Sequence, residues 1–134
     1  MALTLRVLAP DQSVFDGSAE EVILPSTTGQ LGILPGHIPL LTALDVGVLR
    51  VRESGTWRAI ALLGGFAEVD SDEVTVLVNG AELGSTIDAA VAQLDLEKAE
   101  QAAAGFEGQP PSTEKLKAQQ QVSRARARLQ AAGL

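Results

Sequence analysis

The sequence predicts a β-then-α chain: an N-terminal antiparallel β-sandwich or flattened barrel over residues 1–84, followed by a C-terminal antiparallel two-helix hairpin over 85–134. Three observations carry that expectation. Between residues 3 and 78, apolar and polar residues alternate in about nine short runs separated by Gly, Pro, Asn or Asp, the pattern of a sheet with one covered face. After Gly84 the apolar spacing becomes three and four, and seven alanines fall within residues 86–104, a composition that favours helix. Within the β part, residues 27–42 hold three glycines, two prolines and the only histidine. No strand runs through such a segment, so it predicts a folded corner.

In chain order, Leu3, Leu5 and Val7 alternate with Thr4 and Arg6, a half-buried strand. Pro10 and Asp11 turn the chain, residues 13–15 form a short strand closed by Asp16 and Gly17, and residues 19–24 lead into the corner. There Gly29, Gly32 and Gly36 permit positive φ, while Pro35 and Pro39 fix φ and withhold donors. The segment predicts two tight turns around a short apolar strand at 31–34. Its Ile33, Leu34, Ile38, Leu40 and Leu41 are too many apolar side chains for a loop lying in water. Residues 46–52 are rich in β-branched side chains and end at Ser54-Gly55, a hairpin signal. Residues 57–63 run back until Gly64-Gly65 break them, and 66–69 and 74–78 complete the sheet. Ser85 with Asp88 three positions on resembles a capping box. Ile87, Val91, Leu94, Ala99 and Ala102 then predict one helix face. Residues 105–111 end that helix, Ser112 caps a second, and Leu116, Val122, Ala125, Leu129 and Ala132 form its stripe. The short linker makes the two an antiparallel pair with a thin, alanine-rich core, able to undock.

Composition narrows the function. No cysteine is present, which removes disulfide and thiolate chemistry. No apolar run approaches the ~20 residues that span a bilayer, and the start lacks a basic-then-apolar leader. The sequence therefore predicts a soluble, unsecreted chain that meets a membrane only through partners. A net charge of −7 argues against nucleic acid. Residues 1–85 hold four basic and eleven acidic side chains, whereas 86–134 hold six of each, so the two parts face different surfaces. No catalytic residues are expected: His37 is the sole imidazole, and no nucleophile elbow or metal-ligand spacing surrounds the Ser, Asp and Glu side chains. The glycine-rich corner lacks a terminal Lys-Ser/Thr and opens no helix, so it is not a P-loop. No metal and no cofactor are expected.

The run GQLGILPGHIPLLTAL at 29–44, then Gly47-Val48-Leu49-Arg50-Val51 and Gly64-Gly65-Phe66-Ala67-Glu68-Val69, resembles the epsilon subunit of the rotary F-type ATP synthase. The likeness covers essentially the whole chain. The wording of 21–29, 60–66 and 124–128 is nearest the cyanobacterial and chloroplast branch. The resemblance implies a non-catalytic central-stalk subunit that joins gamma to the c-ring and couples proton flow to ATP synthesis. It implies peripheral attachment to a membrane through the complex, on the cytoplasmic or stromal side of the thylakoid. By position, His37 and Thr42 would face gamma, and Thr28, Gly29 and Gln30 would face the ring. Family members often carry an acid where Gln30 stands.

Lys117, Gln121, Arg124 and Arg128 recur at spacings of four, three and four, on one helix face. Generically that is a solvated face. The resemblance implies a brake, in which Lys117, Arg124 and Arg128 meet an acidic segment of beta in the alpha/beta hexamer and oppose ATP hydrolysis. Some bacterial relatives hold ATP through an Ile/Leu-Asp-x-x-Arg-Ala motif. Here Ile87-Asp88-x-x-Val91-Ala92 matches except at the arginine, with Glu82, Asp88, Arg124 and Arg128 as a degenerate site. Valine cannot replace a bidentate donor to phosphate, so weak or no ATP binding is expected. A second register places Lys98 at the arginine position, two turns on. Two rival functions stay open, a free-standing adaptor of the same fold and an ATP-sensing hairpin.

Overall fold

The computed structural model describes residues 2–133. Three antiparallel hairpins build most of the sheet: β1 (Leu3–Ala9) with β2 (Gln12–Ala19), β3 (Glu21–Ser26) with β4 (Gly29–Ile33), and the long pair β5 (Leu40–Glu53) with β6 (Thr56–Asp70). β7 (Glu73–Val78) returns along β6, and β8 (Ala81–Leu83) pairs with the earlier half of β6. The order is β2-β1-β7-β6-β5-β3-β4. Every pairing is antiparallel except β1 with β7. That exception joins the N-terminal hairpin to the rest of the sheet, β7 arriving beside β1 and running the same way.

Alternation decides what lies inside. Leu5, Val7, Val22, Leu24, Leu49, Val51, Ile60, Leu62 and Val76 are buried in one core shared by β1, β3, β5, β6 and β7. Burying each such side chain is worth about 1.5–3 kcal/mol, so this layer holds most of the stability. Eight strands form among the described residues where about nine were expected. Gly64 and Gly65 bend β6 without ending it, and the tail of the corner, from Leu40, is already β5. Gly64 (φ +87°) and Gly65 (φ +153°) absorb the bend. A Cβ on Gly65 would lie 2.1 Å from the Leu77 carbonyl oxygen, so the chain passes only as glycine.

A 3₁₀ turn (Gly84–Thr86) links the sheet to α1 (Ala89–Ala104), and α2 (Thr113–Ala132) folds back along it. Ser85 does not cap α1. Ile87 is extended and buried, which delays the helix, and Asp88 Oδ1 accepts from Ala90 N at 2.9 Å and Val91 N at 3.2 Å. Ser112 caps α2 as expected, its Oγ accepting from Lys115 N at 3.1 Å. The expected stripe on α2 is largely met, with Ala125 buried, Val122, Leu129 and Ala132 half-buried and only Leu116 exposed, whereas the one expected on α1 is not. α1 turns Ala92 and Leu96 inward and leaves Val91 and Leu94 in solvent, and α2 buries Ala125, Ala127 and Ala131 and exposes Leu116. Alanines supply most of this contact, Ala59, Ala61, Ala92 and Ala131 letting helices and sheet approach closely, with Val48, Ile87 and Leu96 filling the gaps between them. The hairpin docks on the outer side of β5 and β6 through a small second core of Val48, Ala59, Ala61, Ile87, Ala92 and Ala131.

Candidate functional site

Two surfaces and one cleft carry the chemistry. The first surface is the corner. β3 and β4 pair Ser26 with Gly29, so Thr27 and Thr28 form the tip beside the exposed Gly29 and Gln30. Ser26 is the one buried polar side chain among the described residues. Its Oγ lies 3.1 Å from Thr28 Oγ1 and 3.1 Å from Thr42 Oγ1, and it accepts from Thr28 N at 3.3 Å. Thr42 in turn donates to the Ala43 carbonyl at 3.3 Å. One hydroxyl chain thus ties the tip to β5. The second turn has Pro35 and Gly36 (φ +87°) at its centre, with His37 N donating to the Leu34 carbonyl at 3.1 Å, the arrangement a type II turn requires. Gly36 N donates to Asp72 Oδ1 at 2.7 Å, pinning this turn to the β6–β7 connection. The half-buried His37 spends Nδ1 as donor to the Ile38 carbonyl at 2.6 Å. Among the described residues no other side chain hydrogen-bonds its ring.

Leu34, Ile38 and Leu41 stand out from this corner into solvent, Ile38 at 74% and Leu41 at 70% exposure. The same face of β5 continues to Ala43, which pairs with Phe66, which pairs with Leu77, which pairs with Leu8. Phe66 and Leu77 are 58% and 55% exposed. The corner and this row form one apolar surface across β5, β6, β7 and β1, too extended for singly scattered exposed residues. Charges border it, with Glu68 opposite Thr75 and Arg6 paired to Asp16 and Glu73 at 3.9 and 3.7 Å. The sequence reading missed Phe66, Leu77 and Leu8. The signal was present in Val76-Leu77-Val78, where apolar residues occupy both parities of a strand whose even positions alone are buried.

The cleft, about 500 Å³, lies between the hairpin and the sheet and is lined by Glu82, Asp95, Lys98, Gln121, Arg124 and Arg128 among others. Arg128 donates from Nε and Nη2 to both oxygens of Glu82 at 2.9 and 3.3 Å, and from Nη1 to Asp95 Oδ2 at 3.3 Å. These side chains are 30–46% exposed, so each pair contributes no more than about 1 kcal/mol. Of the expected basic face, Gln121, Arg124 and Arg128 enter the cleft and Lys117 does not. Of the degenerate nucleotide site, Glu82, Arg124 and Arg128 come together there. Asp88 does not join them, being committed to the α1 cap, and Val91 points to solvent. Lys98, from the second register, does line the cleft. Among the described residues no His/Cys/Asp/Glu group is placed to hold a metal ion. No helix there is long and apolar enough to cross a membrane.

Comparison with known proteins places this geometry. A family model described as ATP synthase, Delta/Epsilon chain, beta-sandwich domain matches residues 2–84, and one described as the long alpha-helix domain of the same chain matches 85–133. The chain is similar to proteins named ATP synthase epsilon chain. Over 131 residues it is 76% identical to that of Synechococcus sp. (strain CC9902), covering 98% of this chain and 96% of that one. It is 71% identical to that of Prochlorococcus marinus (strain MIT 9313), covering 98% of each. Its fold is similar to a chain in a structure of the Euglena gracilis mitochondrial ATP synthase that includes the c-ring, with TM-score 0.81 and 21% identity over 99% of this chain and 82% of that one. A chain from the central stalk and c-ring of the Tetrahymena thermophila mitochondrial enzyme matches with TM-score 0.62 and 15% identity, over 98% and 96% of the two chains.

Proposed function

The chain belongs to the delta/epsilon family of ATP synthase chains, and from that premise we propose that it is a non-catalytic rotor subunit, seated where gamma meets the c-ring and turning with them. The observation that carries this reading is the continuous apolar surface from Ile38 and Leu41 through Phe66 to Leu77, a face built to be covered. Gamma covers it, with His37 in the same contact, while Thr42, on the opposite face of β5, ties the strand to Ser26 behind that contact. The ring takes the tip at Thr28, Gly29 and Gln30, where hydroxyl, backbone and amide groups suit polar loops. The pinned turns make this seat stiff, which torque transfer demands.

The division of labour follows the two packing layers. Residues 1–84 are the seat and 85–134 the regulatory arm, whose small core and partly exposed ion pairs let it leave the sheet. Swung toward the alpha/beta hexamer, Lys117, Arg124 and Arg128 meet acidic side chains and oppose hydrolytic rotation. The complex sits at a membrane, and the cyanobacterial relatives favour the thylakoid, on its cytoplasmic side. The purified chain, added to synthase stripped of its own epsilon chain, should restore proton-driven synthesis and lower hydrolysis. Failure to bind the stripped enzyme would remove the reading. Arg124 makes no ion pair among the described residues, so Arg124→Ala isolates the brake from the docking of the hairpin. That variant should raise ATP hydrolysis in the assembled complex and leave synthesis intact.

A further inference from the structure

We propose that Gly84 gates the hairpin: it is the point where the backbone of α2 lies directly on the backbone of the sheet, and only a residue without Cβ allows the docked state. The inference deepens the brake and rests on that reading for its consequence, although the gate itself is a property of the isolated chain. A Cβ at Gly84 would lie 2.3 Å from the Ala131 carbonyl oxygen, 2.9 Å from its carbon and 3.0 Å from the Ala59 carbonyl oxygen. Gly84 does not need glycine for its own conformation, since its φ is not in the left-handed region. The demand is steric. Both obstructions are backbone, one on α2 and one on β6, and neither can rotate aside as a side-chain tip would. Ala59 and Ala131 beside it are buried and already minimal, so no side chain remains to shrink.

The position couples this contact to charge. Glu82 lies two residues before Gly84, and Arg128 three residues before Ala131, so the backbone contact and the Arg128–Glu82–Asp95 cluster sit side by side. They form together and break together. While docked, Arg128 is held by its own chain. Once α2 lifts from Gly84, Arg128 is bare and joins Arg124 on the face offered to an acidic partner. The second core is small and the ion pairs are partly exposed, so the two arrangements lie close in free energy and one added methyl group tips the balance.

The chain contains its own reporter. Trp57, the single tryptophan, lines the same small cleft as Gly84, Ala131 and Ala132. In the full chain, Gly84→Ala and more strongly Gly84→Val should shift Trp57 emission to the red and speed amide exchange over residues 125–131 by about tenfold or more, leaving β1 and β7 protected. Gly105→Ala, whose Cβ would meet nothing nearer than 3.5 Å, should change neither. Arg128→Gln should loosen α2 to a smaller degree and abolish the salt dependence of its exchange. Unchanged Trp57 emission and α2 protection in Gly84→Val would overturn the gate, as would loss of protection throughout the sheet, since Gly84 would then serve folding alone. Assembled into epsilon-depleted synthase, the undocked variant should hydrolyse ATP more slowly than wild type. An undocked hairpin with unchanged hydrolysis would leave the gate standing and refute the brake.

Discussion

Phe66 and Leu77 show how far single side chains can be assigned. Both stand in solvent on strands whose opposite faces are core, so neither stabilises the isolated chain much. Exposed substitutions of this kind change stability by about 0.5 kcal/mol or less, whereas a central apolar anchor of an interface is worth about 1–2 kcal/mol or more. Phe66→Ser combined with Leu77→Ser should therefore keep the melting temperature within a few degrees and weaken binding to purified gamma by about tenfold or more. A melting curve and a binding titration check the two halves of that statement, and equal affinity would move the gamma contact elsewhere. Gly65 is the contrasting case. Its positive φ and the Leu77 carbonyl 2.1 Å from a notional Cβ make Gly65→Ala a backbone fault in the centre of the sheet. The expected loss is about 2 kcal/mol or more, read as a fall in thermal midpoint.

Among the elements, the two helix starts illustrate when local chemistry suffices. Ser112 follows a Gly/Pro linker, with nothing else competing for its hydroxyl, and it caps α2 as its position in the sequence implies. Ser85 has equally suitable chemistry, but the buried Ile87 must reach the second core first, and the cap passes to Asp88. Ser112→Ala should cost about 1 kcal/mol of local helix stability, visible as faster amide exchange at Lys115 and Leu116 with β1 unchanged. The face that α1 buries departs from its expected stripe for a related reason. An alanine-rich helix has no single apolar stripe, so the partner chooses which side is buried, and here it chose the side that lets backbones approach.

Over the whole molecule, the proposed rigid seat and movable arm rest on the contrast between one thick core and one thin core. The same asymmetry bears on nucleotide. Asp88 is spent on a cap, Arg128 on Glu82 and Asp95, and Val91 faces water, so of the basic residues of the expected site only Arg124 stays without an ion pair among the described residues, with Lys98 beside it in the cleft. Titration calorimetry with ATP should give no measurable heat at micromolar protein concentration. A micromolar dissociation constant would show that Lys98 and Arg124 suffice to hold it.

Period-two alternation, the glycine and proline corner and the change of period at Gly84 were enough to set fold class, the β-then-α order and the core face of β1, because each reflects a face or turn that neighbouring residues impose on one another. The family likeness was equally readable, since it resides in a continuous run of residues. Tertiary structure alone decided the parallel pairing of β1 with β7, the exposed row across four strands, the face that α1 buries, and the ion pairs by which Arg128 bridges Glu82 and Asp95. Those outcomes depend on which distant surface comes to lie opposite, and a side chain's own neighbours along the chain carry no record of that.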